Sequence, residues 1–401
     1  MKKKKWIRKR HQIVRNIVAA TFGAYAKRKY RINVTEFDKP KGVPYLILYN
    51  HQTAYDQFFV GLAFKEHLYY VASEDLFSMG ALSKLIKFLV EPIPIKKQTT
   101  DPRAVINCIK VAKEGGSIAI APEGNRTFSG KTEYIKPSIV GLAKHLGLPI
   151  AFFRIEGGYG VHPRWSNTVR SGGMRAGVSK VIYPETYKAL SDDELYEIIC
   201  RELYQNEACR DREYHGKALA EYVERAVYVC PDCGLSEFRS YRDTVKCLRC
   251  KKKVRYLPTK ELEGVGFDFP FRFMGDWYDY QSSFINSLDF DALSEEALYT
   301  EDASFHRVLP YDKKQTVYKT AKISLYKDKI TVRSDSDERI YTFDDLSAVT
   351  VLGKNKLNLY IGKDIFQISG NERLCALKYV NLYNRYNNLK KGDKNAEFLG
   401  L

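Results

Sequence analysis

Tyr45-Leu-Ile-Leu-Tyr49 runs directly into Asn50-His51-Gln-Thr-Ala-Tyr-Asp56. Five apolar residues closed by a polar turn read as a strand covered on both faces. A helix-like segment follows over 54–66. The alternation then repeats, with apolar runs at 68–72, 92–95, 118–121 and 149–153. Amphipathic stretches at 76–90, 102–114 and 137–146 separate them. This pattern predicts an α/β layer of mixed, largely parallel sheet with flanking helices. Residues 161–190 are richer in Gly and Pro and read as irregular. Ser191-Asp-Asp-Glu194 is a capping box that opens a helix through Leu195, Ile198 and Ile199. A further helix is expected near 214–226.

His51 stands just past a buried strand, where open α/β sheets place their sites. Five residues along a regular helix would put Asp56 about 140° away from it. The two side chains therefore meet only if the segment begins as a turn. If they meet, Asp56 fixes the tautomer of His51 and steadies its cation, and His51 serves as general base. The second motif, Ala121-Pro122-Glu123-Gly124-Asn125-Arg126, follows the run at 118–121. A glycine between Glu123 and Arg126 lets a ligand approach the backbone, and a guanidinium grips anions as a fork. The chain has no Gly-x-Ser-x-Gly elbow and no Walker loop.

Asn-His-x4-Asp followed some distance on by Pro-Glu-Gly-x-Arg resembles the glycerolipid acyltransferases typified by 1-acylglycerol-3-phosphate acyltransferase. Pro92-Ile-Pro-Ile-Lys96-Lys97 sits where that family has a short strand ending in a basic residue. Ile135-Lys-Pro137-Ser138 and Gly147-Leu-Pro149-Ile150 resemble two further family segments, with Ser138 in place of a frequent Gly. The likeness spans about residues 1–225. It implies transfer of an acyl group from acyl-CoA or acyl carrier protein to the free hydroxyl of a lysophospholipid, with 1-acylglycerol-3-phosphate as the expected acceptor and phosphatidic acid as product. It makes His51 and Asp56 catalytic. Glu123, Gly124, Arg126, Lys96 and Lys97 become the substrate-binding set, and no catalytic cofactor is expected.

The chain has 401 residues and a net charge of +17. Residues 1–31 carry Lys2, Lys3, Lys4, Lys5, Arg8, Lys9, Arg10, Arg15, Lys27, Arg28, Lys29 and Arg31 and no acid. Between Trp6 and Tyr25 the residues Ile7, Ile13, Val14, Ile17, Val18, Thr21 and Phe22 recur at helical spacing, with Arg8, Lys9, Arg15 and Asn16 opposite. Such a helix suits an anionic membrane interface. Arg15 and Asn16 interrupt the apolar run, so neither a signal peptide nor a spanning helix is expected. The expectation is a cytoplasmic protein, peripheral on the inner face of the cytoplasmic membrane.

Eight cysteines are few for a secreted disulfide scaffold of this length. Cys230-Pro-Asp-Cys233 and Cys247-Leu-Arg-Cys250, 13 residues apart, offer four thiolates to one structural zinc. Basic neighbours Arg249, Lys251, Lys252, Lys253 and Arg255 raise nucleic acid as a partner, but no interleaved aromatic platform accompanies them, and it is disfavoured. Trp277, Tyr280, Phe284 and Leu288 share a helical face. From about 311 the period becomes two. Apolar alternation over 323–332, 340–343, 349–352, 357–361 and 365–368 precedes a helix at 373–389. Antiparallel strands capped by one helix resemble a pleckstrin-homology-like domain.

The expected organisation is a basic membrane-interface region at 1–35 and an acyltransferase domain at 36–226. A zinc ribbon at 227–258, a linker at 259–310 and the small antiparallel domain at 311–395 follow. The rival reading is a non-catalytic lipid- or nucleic-acid-binding adaptor on an acyltransferase fold. The joint presence of His51, Asp56, Glu123 and Arg126 argues against it.

Overall fold

A computed structural model describes residues 5–95, 101–309, 312 and 314–392. Lys96 and Lys97 lie outside the described residues. The described residues form two compact units. One takes residues up to Pro163 together with Val169–Glu207, the other Arg164–Thr168 and the residues from Ala208 onward.

The first unit runs α1 (Lys9–Tyr30), β1 (Ile32–Val34), β2 (Leu46–Tyr49), α2 (Asp56–Ala63), β3 (Leu68–Ser73), α3 (Ala81–Val90), β4 (Ile93–Ile95) and α4 (Pro102–Lys113). It continues with β5 (Ser117–Ile120), α5 (Ser138–Leu146), β6 (Ile150–Glu156), the single turn α6 (Gly158–Val161), β7 (Met174–Ile182), the single turn α7 (Pro184–Tyr187) and α8 (Asp192–Leu203). Its sheet has the order β1-β7-β6-β2-β5-β3-β4. Neighbours from β6 to β4 pair in parallel, while β7 runs antiparallel to β6 and parallel to β1. All four residues of β2 and of β5 are buried, as expected of central strands in a parallel sheet covered on both faces. Leu46, Leu48, Ile118, Ile120, Ile150 and Phe152 meet Val111, Ile139, Val140, Leu195 and Ile199 in one core.

Two expectations fail here. Residues 174–182, read as irregular, form the nine-residue β7. A register shift at Phe152/Phe153 and Gly177 in the strand blur its alternation, so period two never shows. Near 214–226 only a short turn of helix forms, at Val223–Arg225, entered through Tyr222 with φ of 71°. Backbone bonds such as that from the Ala220 N–H to the Arg242 carbonyl take the place of helical ones. The Ser191 capping box opens α8 as read.

The helix α1 is less amphipathic toward solvent than its sequence suggests. Trp6 is buried, with its N–H donating to Glu114 Oε2 at 2.8 Å and its ring against Tyr69. Phe22 packs on Phe58 with ring centroids 4.5 Å apart. Arg15 turns inward and donates to the Gly61 and Phe64 carbonyls rather than joining an outer polar face. Exposed apolar residues on α1 include Ile13 and Ile17. Among the described residues no helix is long and apolar enough to cross a membrane.

The second unit opens with the two-residue strands β8 (Val229–Cys230) and β9 (Gly234–Leu235). An antiparallel sheet of β10 (Phe238–Tyr241), β11 (Thr244–Cys247), β12 (Lys253–Tyr256) and β13 (Leu262–Gly264) follows, then α9 (Met274–Asn286). Seven strands make the last sheet: β14 (Tyr299–Arg307), β15 (Gln315–Leu325), β16 (Lys329–Arg333), β17 (Glu338–Thr342), β18 (Ala348–Leu352), β19 (Lys356–Ile361) and β20 (Asp364–Gly370). They are ordered β17-β16-β15-β14-β20-β19-β18, every pair antiparallel, and α10 (Ala376–Lys390) packs on β18 and β19. The first strand, β14, lies before residue 311, in a stretch whose sequence shows no clear period.

The buried face of α9 is Met274, Trp277, Gln281 and Ile285. This is turned slightly from the expected stripe of Trp277, Tyr280, Phe284 and Leu288. The reason is Gln281. Its Oε1 accepts from the N–H groups of Tyr228 and Val229 at 2.7 and 3.2 Å, and its Nε2 donates to the Ala226 carbonyl at 3.1 Å. A polar side chain is drawn inward because it satisfies backbone that the short β8 leaves unpaired.

Candidate active site

β2 and β5 pair in parallel with Leu48 opposite Ile120. Carried three residues past that pair, the same register brings His51 beside Glu123. The His51 N–H donates to Glu123 Oε1 at 2.7 Å, across 72 positions of sequence. The His51 carbonyl accepts from the Thr127 N–H at 3.3 Å. The backbone of the candidate base is thus held on both sides by the second motif.

Residues 51–55 form a turn, and α2 starts at Asp56. That turn is what lets a five-residue spacing close. His51 Nδ1 lies 2.7 Å from Asp56 Oδ2. The fully buried Asp56 carboxylate also accepts from the Gln52 N–H at 2.6 Å, the Thr53 N–H at 2.9 Å and Thr53 Oγ1 at 2.7 Å. An aspartate at the first helical position stabilises the helix end as well. The His51 side chain is 22% exposed and its partner 0%, so the ring reaches the surface while its anchor does not. The next turn leaves no space around this one. A Cβ on Gly158 would come within 2.6 Å of Gln52 Cβ.

Glu123 is buried, and its second oxygen accepts from the Glu133 N–H at 2.7 Å. Burial pushes its carboxyl well above the usual range, against the pull of its two N–H donors. Both oxygens are committed to backbone, which makes Glu123 a brace between the two motifs. Gly124 is exposed with φ of 69°, and its N–H donates to the Ala121 carbonyl at 3.0 Å, closing a tight turn that disfavours any other residue. Arg126 is half-buried. Burial lowers its pKa, and Asp56 and Tyr30 counter that shift electrostatically. His51, Asp56, Glu123, Gly124 and Arg126 therefore gather at one sheet edge.

Sequence reading missed several neighbours. Tyr30, at the end of α1, is buried with its ring 5.4 Å from Tyr55, 5.5 Å from Phe59 and 6.2 Å from His162. Burial, then Tyr55, Tyr25 and Asp56, raise its phenol far above the ordinary value, keeping it neutral. Asn50 bridges β2 to β6, donating to the Ile155 carbonyl at 2.9 Å and accepting from the Ile155 N–H at 2.8 Å. A lone aromatic in a long chain carries no spacing signal that would single out Tyr30, and Asn50, though part of the Asn-His-x4-Asp motif, shows its bridging partner only in the fold.

In the second unit Cys230, Cys233, Cys247 and Cys250 bring their sulfurs within 4.8 Å of one another. The Cys230 and Cys250 sulfurs are 3.8 Å apart. A tetrahedral ion with bonds of about 2.3 Å needs sulfurs about 3.8 Å apart, so the donor set fits one metal ion with every position taken by the protein. The Trp277 indole N–H donates to the Val229 carbonyl at 2.9 Å, tying α9 to the first knuckle.

Residues 31–155 match the acyltransferase family model, a stretch that includes the His51 and Glu123 motifs just described. The chain is 23% identical over 191 residues to a chloroplastic 1-acyl-sn-glycerol-3-phosphate acyltransferase of Brassica napus, covering 46% of this chain. It spans 54% of that relative's length. The crystal structure of the 1-acyl-sn-glycerophosphate acyltransferase PlsC of Thermotoga maritima is similar at 22% identity and a TM-score of 0.40, over 49% of this chain and 80% of that one. The N-terminal PH domain of human ARAP2 aligns with 25% of the chain and 86% of its own, at 14% identity and a TM-score of 0.19.

Proposed function

We propose that the chain transfers an acyl group from acyl-CoA or acyl carrier protein to the free hydroxyl of a lysophospholipid, with 1-acylglycerol-3-phosphate as acceptor and phosphatidic acid as product. The observation that carries this reading is the 2.7 Å His51–Asp56 pair at the carboxyl edge of the sheet. With Nδ1 given to Asp56, Nε2 is the atom that takes the hydroxyl proton as the oxygen attacks the thioester carbonyl. Asp56 stabilises the imidazolium that forms. The tetrahedral intermediate then collapses, the thiolate leaves, and His51 returns the proton to it. No covalent acyl-enzyme is needed. Arg126, at the same sheet edge and favoured in its charged form by the negative Asp56, is the residue for the acceptor's phosphate, with Lys96 and Lys97 as further candidates. Glu123 acts by holding His51.

The four cysteines hold one structural zinc in this reading. The seven-stranded sheet with its helix is a pleckstrin-homology-like module, and the protein works in the cytoplasm against the inner face of the membrane. The test is to incubate the purified chain with 1-acylglycerol-3-phosphate and each acyl donor and identify the product by mass spectrometry. His51→Ala is expected to lower kcat roughly 10³-fold with an unchanged melting temperature. Near-parental turnover by a folded His51→Ala protein sinks the mechanism.

A further inference from the structure

The helix α3 is built inside out. Of its ten residues the buried one is Ser83, whose Oγ donates to the Leu76 carbonyl at 2.8 Å and accepts from the Met79 N–H at 2.8 Å. Leu82, Leu85 and Phe88 are 51%, 51% and 56% exposed, and Met79, just ahead of the helix, is 42% exposed. A helix at a water-facing surface turns its apolar stripe to the core. This one turns it away. α1 lies alongside: Arg10 Nε donates to the Phe88 carbonyl at 2.7 Å and its guanidinium stands 4.1 Å from the Phe88 ring. On α1, Ile13 and Ile17 are exposed as well.

We propose that α3, with α1 beside it, is the surface by which the chain lies on an anionic bilayer. Charge selects this occupant. The helix itself carries Lys84 and Lys87, the acids beside it are Glu74 and Asp75 ahead of it and the buried Glu91 that caps it, and residues 1–31 contain twelve cations and no acid. A second copy of the chain docking face to face would oppose like charges at close range. A bilayer of anionic lipid supplies counter-charge at the headgroups and apolar depth beneath them. The topology adds a reason. β2, β3 and β5 run parallel, so the segment leading into α3 leaves the same sheet edge that carries His51 and Arg126. A lipid acceptor then reaches the base without leaving the interface. That last point rests on the proposed function, whereas bilayer binding by α3 does not.

The experiment is sedimentation of the full chain with phosphatidylcholine vesicles, with and without phosphatidylglycerol. Replacing Leu82, Leu85 and Phe88 together by Ser leaves the sequence of residues 1–31 and the buried Ser83 unchanged, and the stacking of Arg10 on Phe88 is the contact to α1 that it removes. This variant is expected to lose vesicle partitioning roughly 30-fold or more. Lys84→Glu with Lys87→Glu should cut the preference for anionic over neutral vesicles roughly tenfold or more while binding to neutral ones persists. Both variants should turn over a water-soluble, short-chain lysophosphatidate at the parental rate. Unchanged partitioning of the triple-Ser variant overturns the proposal, as does a parental dimer that the variant dissolves. If the parent acylates no lysolipid but the triple-Ser variant still loses vesicles, the proposed function falls and the bilayer surface stands.

Discussion

Two clusters of potential anions organise this molecule, and they are held by different means. At His51 the order comes from hydrogen bonds. Asp56 accepts from four donors and Glu123 from two, all within one sheet edge and all present in the folded chain itself. At Cys230, Cys233, Cys247 and Cys250 the order comes from four sulfurs facing one another, an arrangement that a bound cation makes favourable. On the proposed function, the contrast follows from what each cluster would have to do. A general base keeps one side open and its proton affinity near the working pH, so only its anchor is saturated. A structural metal site closes every position and gains nothing from access.

If that contrast is right, the largest effect lies in the second unit. Cys247→Ser with Cys250→Ser, or chelation of the parent, should unfold the four-stranded ribbon, with an apparent loss on the order of 10 kcal/mol. Metal analysis should find one zinc per chain in the parent and none in the variant, and the near-ultraviolet signal of Trp277 should collapse. A metal-free parent that retains this signal would break the comparison.

A smaller change tests the hydrogen-bonded cluster. Glu123→Gln puts an amide N–H₂ where one of two backbone N–H groups needs an acceptor. The cost should be about 2 kcal/mol in stability. Turnover should fall more than about tenfold, with the acceptor KM little changed, because the amide shifts His51 rather than the substrate. A raised KM with constant kcat would return Glu123 to direct contact with the acceptor.

The smallest effect concerns protons. His67, whose Nε2 lies 3.0 Å from the Val90 carbonyl, has its pKa pushed down to about 4 by burial and by the neighbouring His11. The unfolded chain takes up this proton near pH 6.5 and the folded chain near 4, so the stabilisation is present above 6.5 and fades as pH falls through that window. Partial exposure reduces the effect to about 2 kcal/mol. His67→Gln should flatten the melting-temperature profile of the first unit between pH 6.5 and 4. An equally steep profile in the variant assigns the acid sensitivity to other groups.

Much of the site was readable before folding. Parallel central strands have to be apolar on both faces, so 45–49, 118–121 and 149–153 stand out as unbroken runs. The residues just past them, His51, Asp56, Glu123 and Arg126, are then conspicuous by chemistry and position. The paired Cys-x-x-Cys turns are equally plain, since ligands on tight knuckles have fixed local spacing. What could not be read is whatever depends on partners distant in sequence. β7 owes its strand to pairing with β6 across a shifted register, and β14 to partners on both sides, neither of which leaves a local period.

The amino-acid sequence by itself determined which groups can do chemistry, because proton transfer and thiolate ligation need particular side chains at short, fixed spacings. Only the tertiary structure decided what those groups face. It saturated both oxygens of Glu123 with backbone donors, buried Gln281 to satisfy the strand at Tyr228 and Val229, and turned Leu82, Leu85 and Phe88 outward around a buried Ser83. The physical reason is the same in each case. Hydropathy ranks a side chain against water, whereas its place in the fold is set by which unpaired backbone group or open surface the chain happens to bring beside it.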